Sequence, residues 1–458
     1  MEFLYKFLGN FFKSEDDRKK LVKIVVPSFA IQSTAVLLGL ASNFMLARGL
    51  GAANYGVFTF AFSAVFPFIS MASFGISVLV LREIPPLLAN NKTGLLKGLH
   101  QWSLKVAIPT AVLLSLVLIS SVYYLPLAFQ SYPETSVLGH YARVLLASNY
   151  RIPIILSAIV VPFYGLMNYY SSSVRGLNKM LLSQMSDNIV RPGLFVLLIA
   201  ILYFFTNNFN VISIIWVNNL AFAAGLIFAV TIFYKYFNVK GAQPEYEKRK
   251  WWLGLGSLTL FNGILSLDSR LDVLMLGSIK DSVQVGAFNI AHKIALTLFF
   301  FLSVMNTIIA PSISRLNAAN EKERLQEILT KTVRWVVALS FPVGILIIVF
   351  SKWIMLYFGK DFEQGQLALI ILCSVQLFSI SCGPAGVVSI MTGNEKYNTI
   401  ATVMGMIITI VLNLILTPTM GLTGTAIAAA VSIVIWNLYM VHIVKKRVGV
   451  YPWVYKLK

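Results

Sequence analysis

Charged residues are scarce in this sequence. Asp, Glu, Lys and Arg together make up 12% of its 458 residues, whereas hydrophobic residues make up 57%. Soluble domains carry about a quarter charged residues, so this composition excludes an ordinary soluble domain. A mean hydropathy of +0.77 and repeated long apolar runs instead indicate an integral membrane protein.

Cysteine and histidine are also rare. The two cysteines, Cys373 and Cys382, lie in one apolar segment without the spacing of a CxxC pair, and the four histidines are scattered. The sequence has no Gly-rich phosphate loop and no acidic cluster with nucleotide-sugar geometry. We therefore predict no metal site, no cofactor and no enzymatic activity such as glycosyl transfer or polymerisation.

Apolar runs of about 20 residues, long enough to cross a hydrocarbon core of about 30 Å, recur about twelve times. The predicted spans are 22–47, 56–81, 103–126, 150–174, 183–206, 209–234, 253–277, 284–311, 332–350, 364–392, 398–417 and 423–444. This pattern predicts an all-α polytopic membrane protein with about twelve transmembrane helices.

Basic residues are unevenly distributed. Most of the 37 Lys and Arg lie near the termini or in the loops after even-numbered spans. The loops after odd-numbered spans contain only Arg48, Arg143, Arg151, Lys280, Lys352 and Lys360. The positive-inside rule therefore predicts a cytoplasmic-membrane protein with both termini in the cytoplasm. The net charge of +19 then reflects topology and attraction to membrane lipid, which argues against nucleic acid as a partner.

Segments outside the spans divide the chain. Residues 1–20 begin with apolar residues at helical spacing, which predicts an amphipathic helix on the membrane surface, with a frayed tail as the alternative. Residues 239–252 contain glycine, proline and a run of charges, as linkers do. We therefore expect one six-helix lobe over 21–238, a second over 253–447 and a cytoplasmic tail over 448–458.

Two short patterns recur in both halves. Span 1 is followed by "ARGLGAANYGVF" (47–58) and span 7 by "LMLGSIKDSVQVGAF" (274–288), and both contain Leu-Gly, a polar turn and Gly-x-Phe. Span 4 ends with "VRGLNK" (174–179) and span 10 with "MTGNEK" (391–396). Unless these glycine turns match by coincidence, they predict two lobes related by a pseudo-twofold axis along the membrane normal. A central cleft between the lobes is typical of transporters.

The same segments carry a family resemblance. "ARGLGAANYGVF" and "FGISVLVLREI" (74–84) resemble the polysaccharide (Wzx-type) flippases of the multidrug/oligosaccharidyl-lipid/polysaccharide exporter superfamily. The resemblance continues through "VRGLNK", "LDVLMLG", "VGAFNIAHKIA", "APSISRL", "MLYFGKDF" and "NLILTPTMGLTGTAIAAAVS". It implies flipping of undecaprenyl-pyrophosphate-linked oligosaccharide repeat units for O-antigen, capsule or exopolysaccharide, with a polysaccharide polymerase as a candidate partner.

A pyrophosphate headgroup is negatively charged, so cations lining the cleft would lower the free energy needed to move it out of water. The candidate substrate-binding residues are Arg48, Arg82, Arg175, Arg191, Arg270, Lys293 and Arg315. Positive-inside anchoring is the alternative explanation for the four that we place at cytoplasmic span ends, which are Arg82, Arg175, Arg191 and Arg315. Arg48, at the outer end of span 1, could instead extend to the membrane surface.

Three charges interrupt the apolar segment "SLDSRLDVLML" of span 7. In a regular helix, Asp268 and Asp272 share a face and Arg270 points elsewhere. Asp268 and Lys293 of span 8 would lie at similar depth, about 13–16 Å from the outer end, so they are predicted ion-pair partners. One hypothesis is that these charges hold two helices together. The other is that Arg270 or Lys293 contacts the substrate and that the acids serve ion pairing or coupling.

The nearest rival function is a multidrug extruder of the same superfamily. Such transporters generally use a carboxylate in span 1 or span 10 for proton or sodium coupling, and neither span contains one here. A lipid II flippase is a further relative, but those proteins generally have more spans than this chain has room for. The flippase of polysaccharide repeat units is therefore the favoured interpretation.

Overall fold

The computed structural model describes residues 15–72, 75–129, 148–206, 208–239, 241–252, 255 and 267–453. All regular elements within these ranges are helices, which confirms the all-α class. The predicted surface helix over 1–20 falls mostly outside the described residues, as does most of span 7.

The described helices fall on both sides of the linker. Before the linker they are α1 (Glu15–Ala72), α2 (Ile76–Ala89), α3 (Thr93–Phe129), α4 (Ser148–Ser157), α5 (Val160–Gly176), α6 (Met180–Met185), α7 (Arg191–Phe205) and α8 (Val211–Tyr236). After it they are α9 (Leu271–Ile279), α10 (Ser282–Thr297), α11 (Phe299–Ala318), α12 (Lys322–Val349), α13 (Ser351–Phe358), α14 (Gln366–Ser381), α15 (Ala385–Met391) and α16 (Glu395–Val448). A π-helical turn over Ser186–Val190 joins α6 to α7, and a 3-10 helix over Lys360–Gly365 precedes α14.

Within the described residues, nine helical stretches are long and apolar enough to cross a membrane, so the protein is a multi-pass membrane protein. Two of these stretches, Val26–Ala89 and Glu395–Val448, are too long for one crossing, because a straight helix of 54 residues would extend about 80 Å. Each contains a glycine with positive φ, Gly51 at 72° and Gly421 at 56°, where the helix bends. The total of twelve spans and the twofold axis remain predictions.

The chain divides into two compact units. The N-terminal unit comprises Ala30–Arg270 and Gly277–Ser282, and the C-terminal unit comprises the described parts of Met1–Phe29, Leu271–Leu276 and Val283–Lys458. The division into lobes at 239–252 remains a prediction.

The core of the N-terminal unit forms around α5, which packs against α2, α3 and α8. Its largest fully buried side chains include Tyr55, Phe60, Tyr169 and Phe233. The core of the C-terminal unit forms where α12 and α16 pack on α14, and where α15 packs on α16. Lipid chains are as apolar as these side chains, so burying them between helices gives little hydrophobic stabilisation. Close van der Waals packing therefore contributes more to the stability of each unit.

The linker lies against the first turns of α3 in the N-terminal unit. The backbone N–H of Glu245 donates to the carbonyl oxygen of Gly94 at 3.0 Å, and Lys97 Nζ donates to the carbonyl oxygen of Ala242 at 2.9 Å. Trp251 is fully buried. Residues 239–252 thus have the composition of a linker, but backbone and side-chain contacts fix them to the N-terminal unit.

An ion pair holds the end of the same segment. Lys250 Nζ lies 2.7 Å from a carboxylate oxygen of Glu83, whose side chain is largely buried near the end of α2. The hydrogen bond with Glu83 raises the pKa of the Lys250 ammonium group above its usual value. Most of the Lys250 side chain is exposed, so this pair contributes little to stability by itself.

The C-terminal unit has a similar arrangement after its last long helix. Gln326, near the start of α12, donates from Nε2 to the carbonyl oxygen of Tyr451 at 2.8 Å and accepts from the Tyr451 backbone N–H at 2.7 Å. The Trp453 ring lies edge-on to the Phe378 ring, with centroids 6.1 Å apart. In both units, therefore, the segment after a long helix is bonded to the first turns of an earlier one.

Candidate functional site

Arg191 lies inside an apolar helical stretch. The stretch runs from Met180 to Phe205, and at 1.5 Å per residue Arg191 is about 16 Å from its first residue. Arg191 therefore lies within this helix, and its placement at the cytoplasmic end of the span remains a prediction. The helix begins earlier than the apolar pattern predicted because Met180, Leu181 and Leu182 extend it.

The regular α-helical hydrogen bonding is interrupted directly before Arg191. The N–H of Arg191 donates to the carbonyl oxygen of Ser186, five residues earlier, and Pro192 has no N–H to donate. The π-helical turn over Ser186–Val190 therefore replaces the regular ladder. Such turns occur frequently at functional sites.

The Arg191 guanidinium group stacks on an aromatic ring. Its Cζ atom lies 4.8 Å from the centroid of the Phe222 ring on α8. Nη2 makes a long hydrogen bond, 3.4 Å, to the backbone carbonyl oxygen of Asp187, one turn earlier. Nε is buried and has no hydrogen-bond partner among the described residues. The Asp187 carboxylate is an electrostatic neighbour of both Arg191 and Arg175.

Arg270 has the same kind of environment on another element. Residues 269 and 270 form a turn, in which the N–H of Arg270 donates to the carbonyl oxygen of Leu267 at 3.1 Å. The Arg270 Cζ atom lies 4.4 Å from the centroid of the Phe66 ring on α1. Its Nε is also buried without a hydrogen-bond partner in the described part of the chain. Stacking on an aromatic face stabilises a cation but leaves the N–H edge available.

Tyr164 on α5 connects these two environments. Its phenol group is an electrostatic neighbour of Asp187, Arg191 and Arg270, and its ring lies 5.7 Å from the ring of Phe222. We call this group the arginine–aromatic site, and its members are Phe66, Tyr164, Asp187, Arg191, Phe222 and Arg270. All of them belong to the N-terminal unit.

The arginine–aromatic site suits an anion. Two guanidinium groups and one carboxylate give it a formal charge of about +1, and each guanidinium group carries five N–H donors in a planar fork. A phosphate or pyrophosphate group could accept several of these donors at once, because Arg binds such groups bidentately. In low-dielectric surroundings, an anion would also offset the unfavourable burial of the two cations.

The other predicted cations of the N-terminal unit lie on its surface. Arg48 is exposed, with its Cζ atom 5.7 Å from the centroid of the Phe44 ring. Arg82 is exposed and pairs with its neighbour Glu83 at 3.2 Å. Arg175 is exposed, and its Nε lies 3.5 Å from Ser183 Oγ. For these three residues, anchoring at the membrane surface remains a sufficient explanation.

The remaining candidates lie apart from this group along the chain. Lys293 is half-buried on α10 and Arg315 is exposed on α11, and both belong to the C-terminal unit. Asp268 belongs to the N-terminal unit, so its pairing with Lys293 would join the two units and remains a prediction. The turn at residues 269 and 270 interrupts the regular helix on which we placed Asp268 and Asp272 on one face.

Asp272 contacts an amide within the C-terminal unit. Asn413 on α16 donates from Nδ2 to Asp272 Oδ1 at 3.0 Å, and Thr417 Oγ1 donates to Asn413 Oδ1 at 2.8 Å. Thr417 Oγ1 also lies 3.0 Å from Thr425 Oγ1. The side chains of Asn413, Thr417 and Thr425 are fully buried. We call these four residues the Asp272 network.

Sequence reasoning missed most partners of these arginines and of Asp272. Nothing distinguishes Phe66 or Phe222 from other aromatic residues of an apolar helix. "SDNIVRPG" did carry a signal, because Asp187 and Arg191 stand one helical turn apart directly before Pro192 within a span. No group of three or more His, Cys, Asp or Glu residues gathers in the described part of the chain.

The fold resembles that of solved membrane transporters and flippases. It is similar to an inward-facing multidrug resistance MATE family transporter of the MOP superfamily, with a TM-score of 0.72 over 93% of this chain and 98% of the other, at 15% identity. It is also similar to the lipid II flippase MurJ in its inward closed conformation, with a TM-score of 0.65 over 91% of this chain and 87% of the other, at 16% identity. A MOP superfamily transporter from Pyrococcus furiosus matches with a TM-score of 0.63 over 94% and 95% of the two chains, at 16% identity.

The sequence then defines the family. Residues 21–317 match the family described as polysaccharide biosynthesis protein, and the chain belongs to that family. Residues 260–419 match the MatE family. A curated relative, the probable low-salt glycan biosynthesis flippase Agl15 of Haloferax volcanii, is 27% identical over 184 residues, or 40% of this chain. The match spans about two fifths (39%) of the length of that relative.

Proposed function

We propose that this protein flips a polyprenyl-pyrophosphate-linked oligosaccharide across the cytoplasmic membrane for surface polysaccharide biosynthesis, by alternating access through a cationic cleft. The arginine–aromatic site is the observation that carries the proposal. Family membership and the resemblance to a probable glycan biosynthesis flippase support it. O-antigen, capsule and exopolysaccharide repeat units are all compatible with such a site.

In this mechanism, Arg191 and Arg270 bind the pyrophosphate group. Their buried Nε atoms supply N–H donors that the described part of the chain does not use. Phe66 and Phe222 keep the guanidinium planes in place, which reduces the entropy lost when the anion binds. The polyprenyl tail stays in lipid while the polar headgroup passes through the protein.

The Asp272 network is the proposed coupling element. The Asp272 carboxylate accepts a hydrogen bond from the amide of Asn413, and its charge could change by exchange of a proton or a singly charged cation. Binding or release of that ion would change the charge of the C-terminal unit during the transport cycle. Coupling of this kind would give the flippase a direction.

Multidrug extrusion is the second candidate, and the fold alone favours it. A site for cationic drugs needs net negative charge, whereas the arginine–aromatic site has two arginines for one carboxylate. The charge of the site therefore favours an anionic substrate. Asp187 would be the acid to examine if cationic drugs proved to be substrates.

The test is reconstitution of the purified protein in liposomes with a polyprenyl-pyrophosphate-linked oligosaccharide. Transbilayer movement is measured by the accessibility of the sugar to an enzyme added outside the liposomes. We expect movement with the wild type and a loss of about tenfold or more in the Arg191→Gln and Arg270→Gln variants, since hydrogen bonds to charged groups contribute about 1.5–3 kcal/mol.

Arg334→Gln is the matched control, because Arg334 is an exposed arginine on α12 that is not a candidate for substrate binding. It should move the substrate at the wild-type rate. Efficient efflux of cationic dyes by the wild type, without movement of the lipid-linked sugar, would reject the flippase in favour of the extruder.

A further inference from the structure

A cavity of about 650 Å³ lies where α3 begins and α8 ends in the N-terminal unit. Its lining includes Lys97, His100, Gln101, Lys105, Tyr234 and Phe237. None of these residues belongs to the arginine–aromatic site. The volume falls within the range of small-molecule sites, about 300–1,000 Å³.

The polar groups of this cavity are those of an anion site. The lining contains two lysines and no Asp or Glu. Lys97 Nζ uses one donor for the carbonyl oxygen of Ala242, which leaves two, and the exposed Lys105 presents three donors. Gln101 Oε1 accepts a hydrogen bond from Tyr246 at 2.7 Å, so its amide NH2 group remains available as a donor.

Aromatic contacts hold one wall of the cavity in place. His100 Nδ1 lies 2.7 Å from the Tyr169 hydroxyl group, and Nε2 lies 3.3 Å from the Tyr234 hydroxyl group. The His100 ring packs 4.8 Å from the ring of Phe233 and 5.1 Å from that of Phe237. These contacts join α3 to α8 at the mouth of the cavity, which is therefore formed before any ligand binds.

Two exposed apolar stripes lead away from the cavity along the helices. On α3, Ile108, Val112 and Leu116 continue the helix face of Lys105 and are exposed. On α8, Ile227 and Leu220 follow Tyr234 at intervals of two helical turns and are also exposed. Both helices belong to stretches that are long and apolar enough to cross a membrane, so exposed apolar stripes on them suit contact with lipid chains.

We propose that this cavity binds the phosphate headgroup of an anionic membrane phospholipid. The lysines and the amide of Gln101 contact the phosphate, and the two acyl chains lie along the exposed stripes of α3 and α8. The lysine-rich end of α3 is the end that the distribution of basic residues assigns to the cytoplasm, where anionic lipids attract basic residues. A soluble phosphate ion could accept hydrogen bonds from the lysines, but it would not contact the exposed apolar stripes of α3 and α8.

The linker connects this site to the rest of the unit. Lys97 and Gln101 contact both the cavity and linker residues, through Ala242 and Tyr246 respectively. A lipid bound in the cavity would therefore strengthen the attachment of the linker to α3.

The test is native mass spectrometry of the detergent-purified full chain after addition of phosphatidylglycerol or, separately, phosphatidylcholine. We expect the wild type to retain one phosphatidylglycerol with higher occupancy than phosphatidylcholine. Lys105→Gln should weaken that retention about fivefold, the effect of one lysine near anionic lipid. Lys97→Gln is the second variant. Lys360→Gln, at an exposed lysine that begins the 3-10 helix over Lys360–Gly365, is the control that should bind as the wild type does.

A third arm adds inorganic phosphate in excess over the lipid. If phosphate displaces phosphatidylglycerol completely, the ligand is a free phosphate and the lipid assignment is wrong. Equal retention by the wild type, Lys105→Gln and Lys97→Gln would also overturn the proposal. Since Lys105 is exposed and makes no described contact within the unit, its variant should elute from size exclusion as the wild type does, so that a loss of lipid cannot be attributed to unfolding.

Discussion

The Arg270 guanidinium group lies over the ring of Phe66, with Cζ 4.4 Å from the ring centroid. The same geometry relates Arg191 to Phe222. A ring holds each guanidinium group in place without neutralising it, and Asp187 is the one carboxylate of the site, so a net positive charge of about +1 remains. The N-terminal unit therefore contains two oriented cations, Arg191 on an apolar helix and Arg270 in a turn, and an anion bound between them would stabilise this arrangement.

The first prediction concerns the planar shape of Arg270. In Arg270→Lys the charge remains but the fork of N–H donors is lost, and in Arg270→Ala both are lost. We expect transport of the lipid-linked sugar to fall in the order wild type, Arg270→Lys, Arg270→Ala, with about tenfold between the first and the last. Protein abundance in the membrane should stay near that of the wild type, because truncation leaves no buried charge unpaired. Equal activity of all three proteins would remove Arg270 from the substrate site.

The second prediction concerns coupling. Asp272→Asn keeps the shape of the side chain and a hydrogen bond to Asn413 but removes the titratable charge. We expect the variant to unfold within about 2–4 °C of the wild type and to lose the dependence of transport on an ion gradient. Reconstituted liposomes with and without imposed proton or sodium gradients provide the measurement. Asp361→Asn, at an exposed position, is the control, and gradient-driven transport by Asp272→Asn would contradict the coupling role.

The third prediction concerns attachment of the linker. A Cβ atom at Gly98 would overlap the carbonyl oxygen of Glu245, so Gly98→Ala should displace the linker from α3. Overpacking of this kind costs about 1–3 kcal/mol, and we expect trypsin cleavage after Lys248 and Arg249 to accelerate about tenfold. Gly39→Ala adds the same methyl group in open space and should cleave at the wild-type rate. Identical cleavage of both variants would show that the linker is not held through Gly98.

The fourth prediction concerns topology and follows from the distribution of basic residues. A reporter enzyme that is active only outside the cytoplasm should be silent when fused at the C-terminus or within 239–252. It should be active when fused near Lys280 or Lys360. The activities are compared after normalising to fusion-protein abundance. The reverse pattern would invert the whole assignment, including the cytoplasmic location of the phospholipid cavity.

Most of the fold could be predicted from the sequence, because apolar runs of membrane length determine where helices lie. The bends at Gly51 and Gly421 lie between predicted spans, at 47–56 and 417–423 respectively. The π-helical turn before Arg191 could not be predicted in the same way. A window of hydropathy locates a span but does not reveal a π-helical turn, which depends on where Pro192 interrupts the hydrogen-bond ladder.

The sequence predicted only some of the residues of the arginine–aromatic site. Arg270 stood out because a cation in an apolar segment is costly and needs an explanation. Its ring partner Phe66 lies about 200 residues away in the sequence, and no periodicity connects the two positions. The sequence also did not indicate that Asp272 accepts a hydrogen bond from Asn413 or that Arg270 stacks on the ring of Phe66.

The fifth prediction decides between two roles for Lys293. If Lys293 pairs with Asp268, the single variant Lys293→Gln leaves a half-buried acid without its partner, and Asp268→Asn leaves a half-buried cation without its partner. Each single change should then lower protein abundance, and the double change Asp268→Asn with Lys293→Gln should restore both abundance and transport. If Lys293 instead binds the substrate, the double variant should be abundant but inactive. The measurement is the complete cycle of four proteins, scored for membrane abundance and for surface glycan. Full rescue of glycan by the neutral double variant would exclude a substrate role for Lys293, because no cation would remain at that position to bind the pyrophosphate group.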